Sequence, residues 1–357
     1  MSDLRTTFAA FRAENPKTRI RTAARELGVS EAELVTTGVD GDVIPLGKPD
    51  GGWRALIHDI EPLGEVMALT RNDACVHEKH GVYDKVSTDL PHQMALVLDE
   101  PIDLRLFCGR WASAFAVATP MGDGQRRSLQ FFDAHGDAVH KIFLTGKSDA
   151  DAYHAFVDAH RADDLVPSAG SGQALEVEPR ATREPDTPDS DLEVDAFLQG
   201  WADLQDTHDF FPLLRNHGVG RTQALRLAEG RFTERAEPVA ARRALEAAAQ
   251  TGTPIMVFVG NPGAIQIHSG PVERLLERGP WFNVLDPTFN LHLDETQISE
   301  AWVVVKPTED GDVTALEVYD DQGRQIVQLF GARKPGIPEL TAWREIVAEL
   351  PRAGVPA

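Results

Sequence analysis

The spacing of apolar residues changes along the chain in a way that separates helix from strand. Residues 1–35 and 192–250 carry apolar side chains at three- and four-residue intervals, which predicts helices. Elsewhere the period falls to two. Ile102-Asp103-Leu104-Arg105-Leu106-Phe107 alternates as a strand does, with Leu104 and Leu106 on one face and Asp103, Arg105 and Phe107 on the other. Residues 301–307, 313–320 and 324–331 read as three strands, separated by the turn signals Glu309-Asp310-Gly311 and Asp320-Asp321-Gln322-Gly323. Connections this short imply antiparallel pairing, because parallel pairs need long crossovers. Residues 341–350 read as a closing helix.

The pattern is written twice. Residues 102–144 align without a gap to 289–331, with eleven of 43 positions identical, among them Leu104/Leu291, Pro120/Pro307, Gly124/Gly311 and Phe143/Phe330. Residues 66–82 match 255–271 through Met67/Met256, Asn72/Asn261 and Gly81/Gly270. A fainter helical echo links Leu27-Gly28-Val29 to His217-Gly218-Val219. Two copies of one unit account for these offsets better than a solenoid does. Residues 176–195 hold eight acids, two bases and three prolines, and read as an extended linker. The expected organisation is an N-terminal repeat over 1–175, the linker over 176–195 and a C-terminal repeat over 196–357. The expected fold class is α+β: a tandem structural duplication, each half a large antiparallel β-sheet with packed helices.

Charge narrows the choice of partner. The 357 residues carry 35 Lys and Arg against 56 Asp and Glu, a formal charge of −21. Such a field repels nucleic acid and anionic membrane surfaces. Residues 22–34 and, loosely, 214–225 have a helix–turn–helix rhythm, but neither is markedly basic, which argues against DNA as a partner. Two cysteines, Cys75 and Cys108, offer neither a disulfide scaffold nor a CxxC pair. With no apolar stretch of signal-peptide or membrane-spanning length, the expected location is the cytoplasm, without membrane insertion.

No nucleotide-binding, nucleophile-elbow or zincin motif is present in the sequence. His77-Glu78-Lys79-His80 lacks the zincin spacing and aligns with the strand-like residues 266–269, so it reads as a polar strand edge. The sharper segment is 197–217. Phe197, Trp201, Leu204, His208 and Phe211 fall on one helical face. Pro212 interrupts this unless Asp209 caps a new helix with the proline in its first turn. His208 is then either a core histidine bonded to a backbone carbonyl or a side chain at a helix junction facing a cleft. His217, before Gly218, reads as a cation in a last helical turn. His268 and His292 fall in strands, and His292 aligns with Arg105, so the copies have diverged at one structural position. Arg105 is open to a plain salt bridge with Asp103. Lys306, Arg333 and Lys334 lie at strand ends beside apolar residues. Such cations in an acidic protein suit an anionic, partly apolar ligand.

These strings are familiar. Leu104-Arg105-Leu106-Phe107 before Trp111-Ala112-Ser113, Asp206-Thr207-His208-Asp209-Phe210-Phe211, residues 255–261, Trp281-Phe282-Asn283 leading to Pro287-Thr288-Phe289, and Ala301-Trp302-Val303 with Lys306-Pro307-Thr308 together resemble the bacterial cytoplasmic hemin-degrading, or heme-utilisation, family of HemS, ChuS and HmuS. The match runs over nearly the whole chain. It implies that His208 ligates the iron of heme b, iron protoporphyrin IX, and that Arg105 reaches the opposite face as the catalytic residue, with Phe107 close by. It implies Lys306 and Arg333 near the propionates, and Phe330 at the heme edge where the resemblance implies a tyrosine. Phe107, Phe211 and Phe289 are candidates for an apolar slot in a cleft between the repeats.

The function so implied is heme uptake and iron acquisition, in which imported heme is accepted for trafficking or for degradation that releases iron. Whether the protein is a carrier or an oxygenase-like or reductive enzyme is left open. A heme importer, a downstream heme oxygenase and, for an enzyme, an electron donor are the partners implied. A ligand-responsive DNA-binding regulator and a non-enzymatic tetrapyrrole store are the alternatives.

Overall fold

The computed structural model describes residues 3–98, 101–162, 175–180, 184–333 and 336–354. Two compact units emerge. The first comprises Met1–Arg71, Glu78–Ala181 and Asn261–Gln266; the second comprises Asn72–His77, Thr182–Gly260 and Ile267–Ala357. Each unit therefore takes in a six-residue piece from the other half of the sequence.

Among the described residues the N-terminal half contributes helices α1 (Leu4–Glu14), α2 (Ile20–Leu27), α3 (Glu31–Thr36), α4 (Trp53–His58) and α5 (Ala150–His160). Its strands are β1 (Asp42–Leu46), β2 (Gly64–Arg71), β3 (Cys75–Gly81), β4 (Val86–Ser87), β5 (Met94–Leu98), β6 (Asp103–Phe107), β7 (Trp111–Met121), β8 (Gly124–Asp133) and β9 (Ala138–Ser148). The C-terminal half repeats this order with α6 (Val194–Ala202), α7 (Phe210–His217), α8 (Arg221–Leu227), α9 (Ala240–Thr251) and α10 (Thr341–Ala348). Its strands are β10 (Thr233–Ala236), β11 (Ile255–Asn261), β12 (Ala264–Gly270), β13 (Leu275–Arg278), β14 (Trp281–Leu285), β15 (Phe289–Asp294), β16 (Glu300–Lys306), β17 (Val313–Tyr319) and β18 (Gln325–Gly331). Each element has a twin, so the fold is α+β and duplicated.

In the first unit the strands run β1-β7-β8-β9-β2-β3, with β6-β5-β4 as a meander. The second unit repeats this as β10-β16-β17-β18-β11-β12 and β15-β14-β13. The pairings are antiparallel, as the short turns require: Val303 faces Leu316, and Leu316 faces Leu329. Each unit buries strand and helix side chains in a common apolar core. In the first unit α4 and α5 bring Trp53, Leu56, Tyr153 and Phe156 onto Leu104, Leu106, Leu129 and Phe131. In the second, α9 and α10 bring Ala244, Leu245 and Trp343 onto Val257, Leu316 and Leu329. A second layer covers β16 and β17 of that unit, where α6, α7 and α8 pack Trp201, Phe210 and Leu225 on Trp302, Val304 and Ala315.

The helical region expected over 192–250 is broken by β10, which pairs with β16. Gly28 and Gly218 close α2 and α7 at φ 69° and 65°, left-handed positions that suit glycine. The linker is not simply extended. Glu178 N–H donates to Ala134 O in the first unit, and in the second Gln223 Nε2 donates to Thr187 O and to Asp189 Oδ1. β3 is not a polar edge either: His77 and Lys79 are buried.

Twin asparagines stand where the exchanged segments begin. Asn72 Nδ2 donates to Gly260 O and Ile326 O, and its Oδ1 accepts from the N–H groups of Ala74 and Cys75. Asn261 Nδ2 donates to Arg71 O and Val139 O, and its Oδ1 accepts from Gly263 and Ala264. Both side chains are saturated, each joining four separate points of its unit.

Buried charge also differs between the copies. In the first unit Glu31, the first residue of α3, pairs with Lys141 on β9. In the second unit Arg221, the first residue of α8, pairs with Glu317 on β17, which also accepts from Lys306 on β16 at 3.1 Å. The sign carried by the helix is reversed.

Candidate functional site

Helix α6 ends at Ala202, and the chain turns through residues 203–209 before α7 begins at Phe210. His208 sits in a short 3-10 turn, Thr207–Asp209, between the two helices. It is therefore at a junction, and the single helical face from Phe197 to Phe211 does not form. The cap is Asp206 rather than Asp209. Asp206 Oδ1 accepts from the backbone N–H of His208 at 2.8 Å, and α7 starts after Asp209 without a side-chain cap. Pro212 falls in the first turn of α7, where its missing N–H costs little.

The core-histidine reading fails. The His208 side chain is 88% exposed, and its Nδ1 lies 2.6 Å from Asp206 Oδ1. Because a carboxylate only accepts, the Nδ1–H must donate. Nε2 is then the acceptor nitrogen of the neutral ring. The N–H of His208, with help from the ring and from Arg333, holds the Asp206 carboxyl below its usual value, so it stays ionised. A histidine whose second nitrogen donates to a carboxylate is the usual arrangement of a metal ligand. Phe211, three residues on, is 69% exposed, an unusual position for a large apolar ring. An exposed imidazole and an exposed aromatic ring three residues apart suit a flat, apolar metal complex.

The other expected residues of this unit differ in how they are placed. Glu309 N–H donates to Gln205 O, tying the turn to the β16–β17 hairpin. Arg333 Nη2 lies 3.6 Å from Asp310 Oδ2, and its charge acts on Asp206. Phe330 is half-buried, edge-on to Phe258 at 5.1 Å. Lys306 is only 5% exposed and its Nζ is held by Glu317, with burial and Arg221 lowering its pKa against the pull of Glu317. Phe289 is buried and stacked on His268 at 3.9 Å, so it cannot line an open slot. Lys334 lies outside the described residues. Helix α3, one of the helix–turn–helix candidates, has four of its six residues buried and offers no free face to a groove.

In the first unit Arg105 and Phe107 lie on the half-buried face of β6, and Leu104 and Leu106 on the buried one, as the alternation predicts. Arg105 Nη1 bonds the Asp103 carboxylate, the plain salt bridge of the sequence reading.

Sequence reasoning missed Asp206, Phe210, Arg221 and Glu317. The Asp-x-His spacing of an Asx turn was a usable signal for Asp206. A lone glutamate in the strand 313–319 was another, since an acid among apolar neighbours needs a buried partner.

The haemin-degrading HemS.ChuX domain matches residues 28–160 and again 218–350. The chain belongs to that family. It is 38% identical to the hemin transport protein HmuS of Yersinia pestis, over 96% of each chain. It superposes on holo-PhuS, a heme-binding protein from Pseudomonas aeruginosa, with a TM-score of 0.92 and 47% identity over 98% of both chains. Against ChuS, an Escherichia coli heme oxygenase, the TM-score is 0.83 with 35% identity, over 96% of this chain and 99% of that one.

Proposed function

We propose that the protein binds heme b in heme uptake and iron acquisition, taking imported heme for trafficking or for degradation that frees its iron. The observation that carries this is the Asp206–His208 pair, which presents an exposed imidazole Nε2 with its tautomer already set. His208 is the proposed iron ligand. Arg333, Lys306 and Phe330 are the proposed heme-binding residues of the same unit, with Lys306 acting from its ion pair with Glu317. Arg105 is proposed as a catalytic and heme-binding residue, together with Phe107. Family membership supports this reading, as do a hemin transport protein, a heme-binding protein and a heme oxygenase among full-length relatives.

Iron protoporphyrin, when bound, supplies the redox chemistry. What this chain supplies is orientation and charge. Asp206 orients the ring by accepting from Nδ1, which leaves Nε2 to face the metal, and cations complement carboxylates. The proposed location is the cytoplasm, and among the described residues no helix is long and apolar enough to cross a membrane. The proposed partners are a heme importer, a downstream heme oxygenase and, if the protein is itself degradative, an electron donor. The proposed organisation remains a repeat over 1–175, an acidic segment over 176–195 and a repeat over 196–357.

The test is a Soret titration with ferric heme, followed by reductant with and without oxygen. His208→Ala should lose most of the affinity and change the spectrum; an unaltered titration would overturn the ligand assignment. Arg105→Ala should change turnover or the sixth ligand more than affinity. Heme that survives every reductant leaves the carrier role alone.

A further inference from the structure

The turn that carries His208 buries none of the side chains between its two ends, and only Thr207 among them is half-buried. Leu204 is buried on one flank and Phe210 on the other, and no residue from Gln205 to Asp209 is buried. Beside the Glu309 N–H bond to Gln205 O, the geometry of His208 therefore depends on how firmly those two anchors are held. Leu204 is an ordinary apolar anchor. Phe210 is not. Its ring is 1% exposed, with the Arg221 guanidinium 4.6 Å and the Lys306 ammonium 4.9 Å from its centroid. Trp201 meets it edge-on at 4.4 Å.

Both cations are tied to one carboxylate. Arg221 and Lys306 each bond Glu317, which is fully buried and accepts a further hydrogen bond from Tyr319. Two positive charges share one negative charge, so one positive charge has no carboxylate of its own in this cluster. The electron-rich face of an aromatic ring is the compensation at hand, and a cation–π contact strengthens when water is excluded.

We propose that Phe210 is a positioning residue for iron ligation: Arg221 and Lys306, anchored on Glu317, grip its ring, and the ring holds the His208 turn in the geometry that presents Nε2. This rests on the reading of His208 as the heme ligand. It assigns work to a buried phenylalanine two residues away and to a carboxylate on β17 that touches neither His208 nor Asp206. Burial alone would make Phe210 replaceable by any apolar side chain of similar volume. The cation contacts make the electron density of the ring matter.

The test replaces Phe210 with 4-fluoro-, 3,5-difluoro- and 3,4,5-trifluorophenylalanine. These withdraw electrons from the ring face stepwise with little change in volume. In the ligand-free protein, amide hydrogen exchange at residues 206–210 should accelerate with each fluorine, while exchange in β16 and β17 stays constant. In the loaded protein the dissociation rate of ferric heme should rise in the same order, by about tenfold over the series. Phe210→Leu should match or exceed the last member. Flat exchange and dissociation across the series would overturn the proposal, as would a Leu variant equal to wild type. If His208→Ala left heme affinity unchanged, the ligand assignment would fall, and the exchange series in ligand-free protein would still report separately on the clamp.

Discussion

The Asp206 carboxylate holds His208 twice through one oxygen, at the backbone N–H (2.8 Å) and at ring Nδ1 (2.6 Å). Backbone and side chain of the histidine are thus referred to the same atom. Rotation of the ring would break one bond, and movement of the turn would break the other. Removing the carboxylate frees the tautomer and the ring. Asp206→Ala should weaken ferric heme binding by about 10- to 100-fold, the usual effect of losing a carboxylate behind a metal-bound histidine. It should leave the unfolding midpoint nearly unchanged, because the turn is exposed. Equal heme affinity in the variant and the wild type would contradict it.

The saturated asparagines Asn72 and Asn261 predict matched losses in stability. Each alanine variant gives up four hydrogen bonds and leaves two carbonyl oxygens without their donor. Asn72→Ala and Asn261→Ala should each cost about 2–4 kcal/mol in urea unfolding. A variant indistinguishable from wild type would mean that water replaces the amide at no cost.

A buried imidazole should give the protein an acid limb. His140 accepts or donates to Thr70 Oγ1 at 2.9 Å and to Tyr83 OH at 2.6 Å, and burial lowers its pKa to about 3. The unfolded chain protonates near the ordinary value of 6.5, and the folded chain does not until pH is near 3. The unfolded state therefore binds more protons between those values. This contribution is complete above about pH 6.5 and is lost as pH falls toward 3. His140→Gln should flatten the dependence of urea midpoint on pH over that range. An unchanged slope would place the acid limb in other groups.

The buried pair in the first unit separates pairing from charge. Lys141→Met leaves Glu31 buried with only Arg21, 4.0 Å away, to offset its charge and should cost about 3 kcal/mol. Replacing both residues by leucine should recover most of that loss, since an apolar pair of similar volume needs no partner. Recovery is read from the urea midpoint of the double variant against the single one.

The duplication and both antiparallel meanders were legible in the chain because period-two runs and Asp-Gly turns recur at a fixed offset. Leu104 and Leu106 fall inside and Arg105 falls outside by alternation alone. His208 was legible as a candidate but not in its setting. A face drawn through Phe197, Trp201 and Leu204 assumes a continuous helix, and Asp206 ends that continuity by capping its own turn. Lys306 was read as a strand-end cation open to a ligand. Its partner Glu317 lies eleven residues away across a hairpin, and cross-strand register of that kind is not visible in local spacing. The six-residue pieces exchanged between units escaped for the same reason: each carries a strand's pattern whichever sheet it joins.

Duplicated halves face a hazard that single domains do not, since one domain pattern is written twice and each helical arm has two similar sheets to choose between. The reversed signs of Glu31 and Arg221 remove that ambiguity. Seated on the first sheet, Arg221 would meet Lys141 beside the uncharged Gln130, leaving two ammonium-type charges with no acid between them. Seated on the second, Glu31 would add a second carboxylate to one that already has its ammonium. One charged position on each arm, matched by its own sheet, gives a mis-docked arm a penalty of its own.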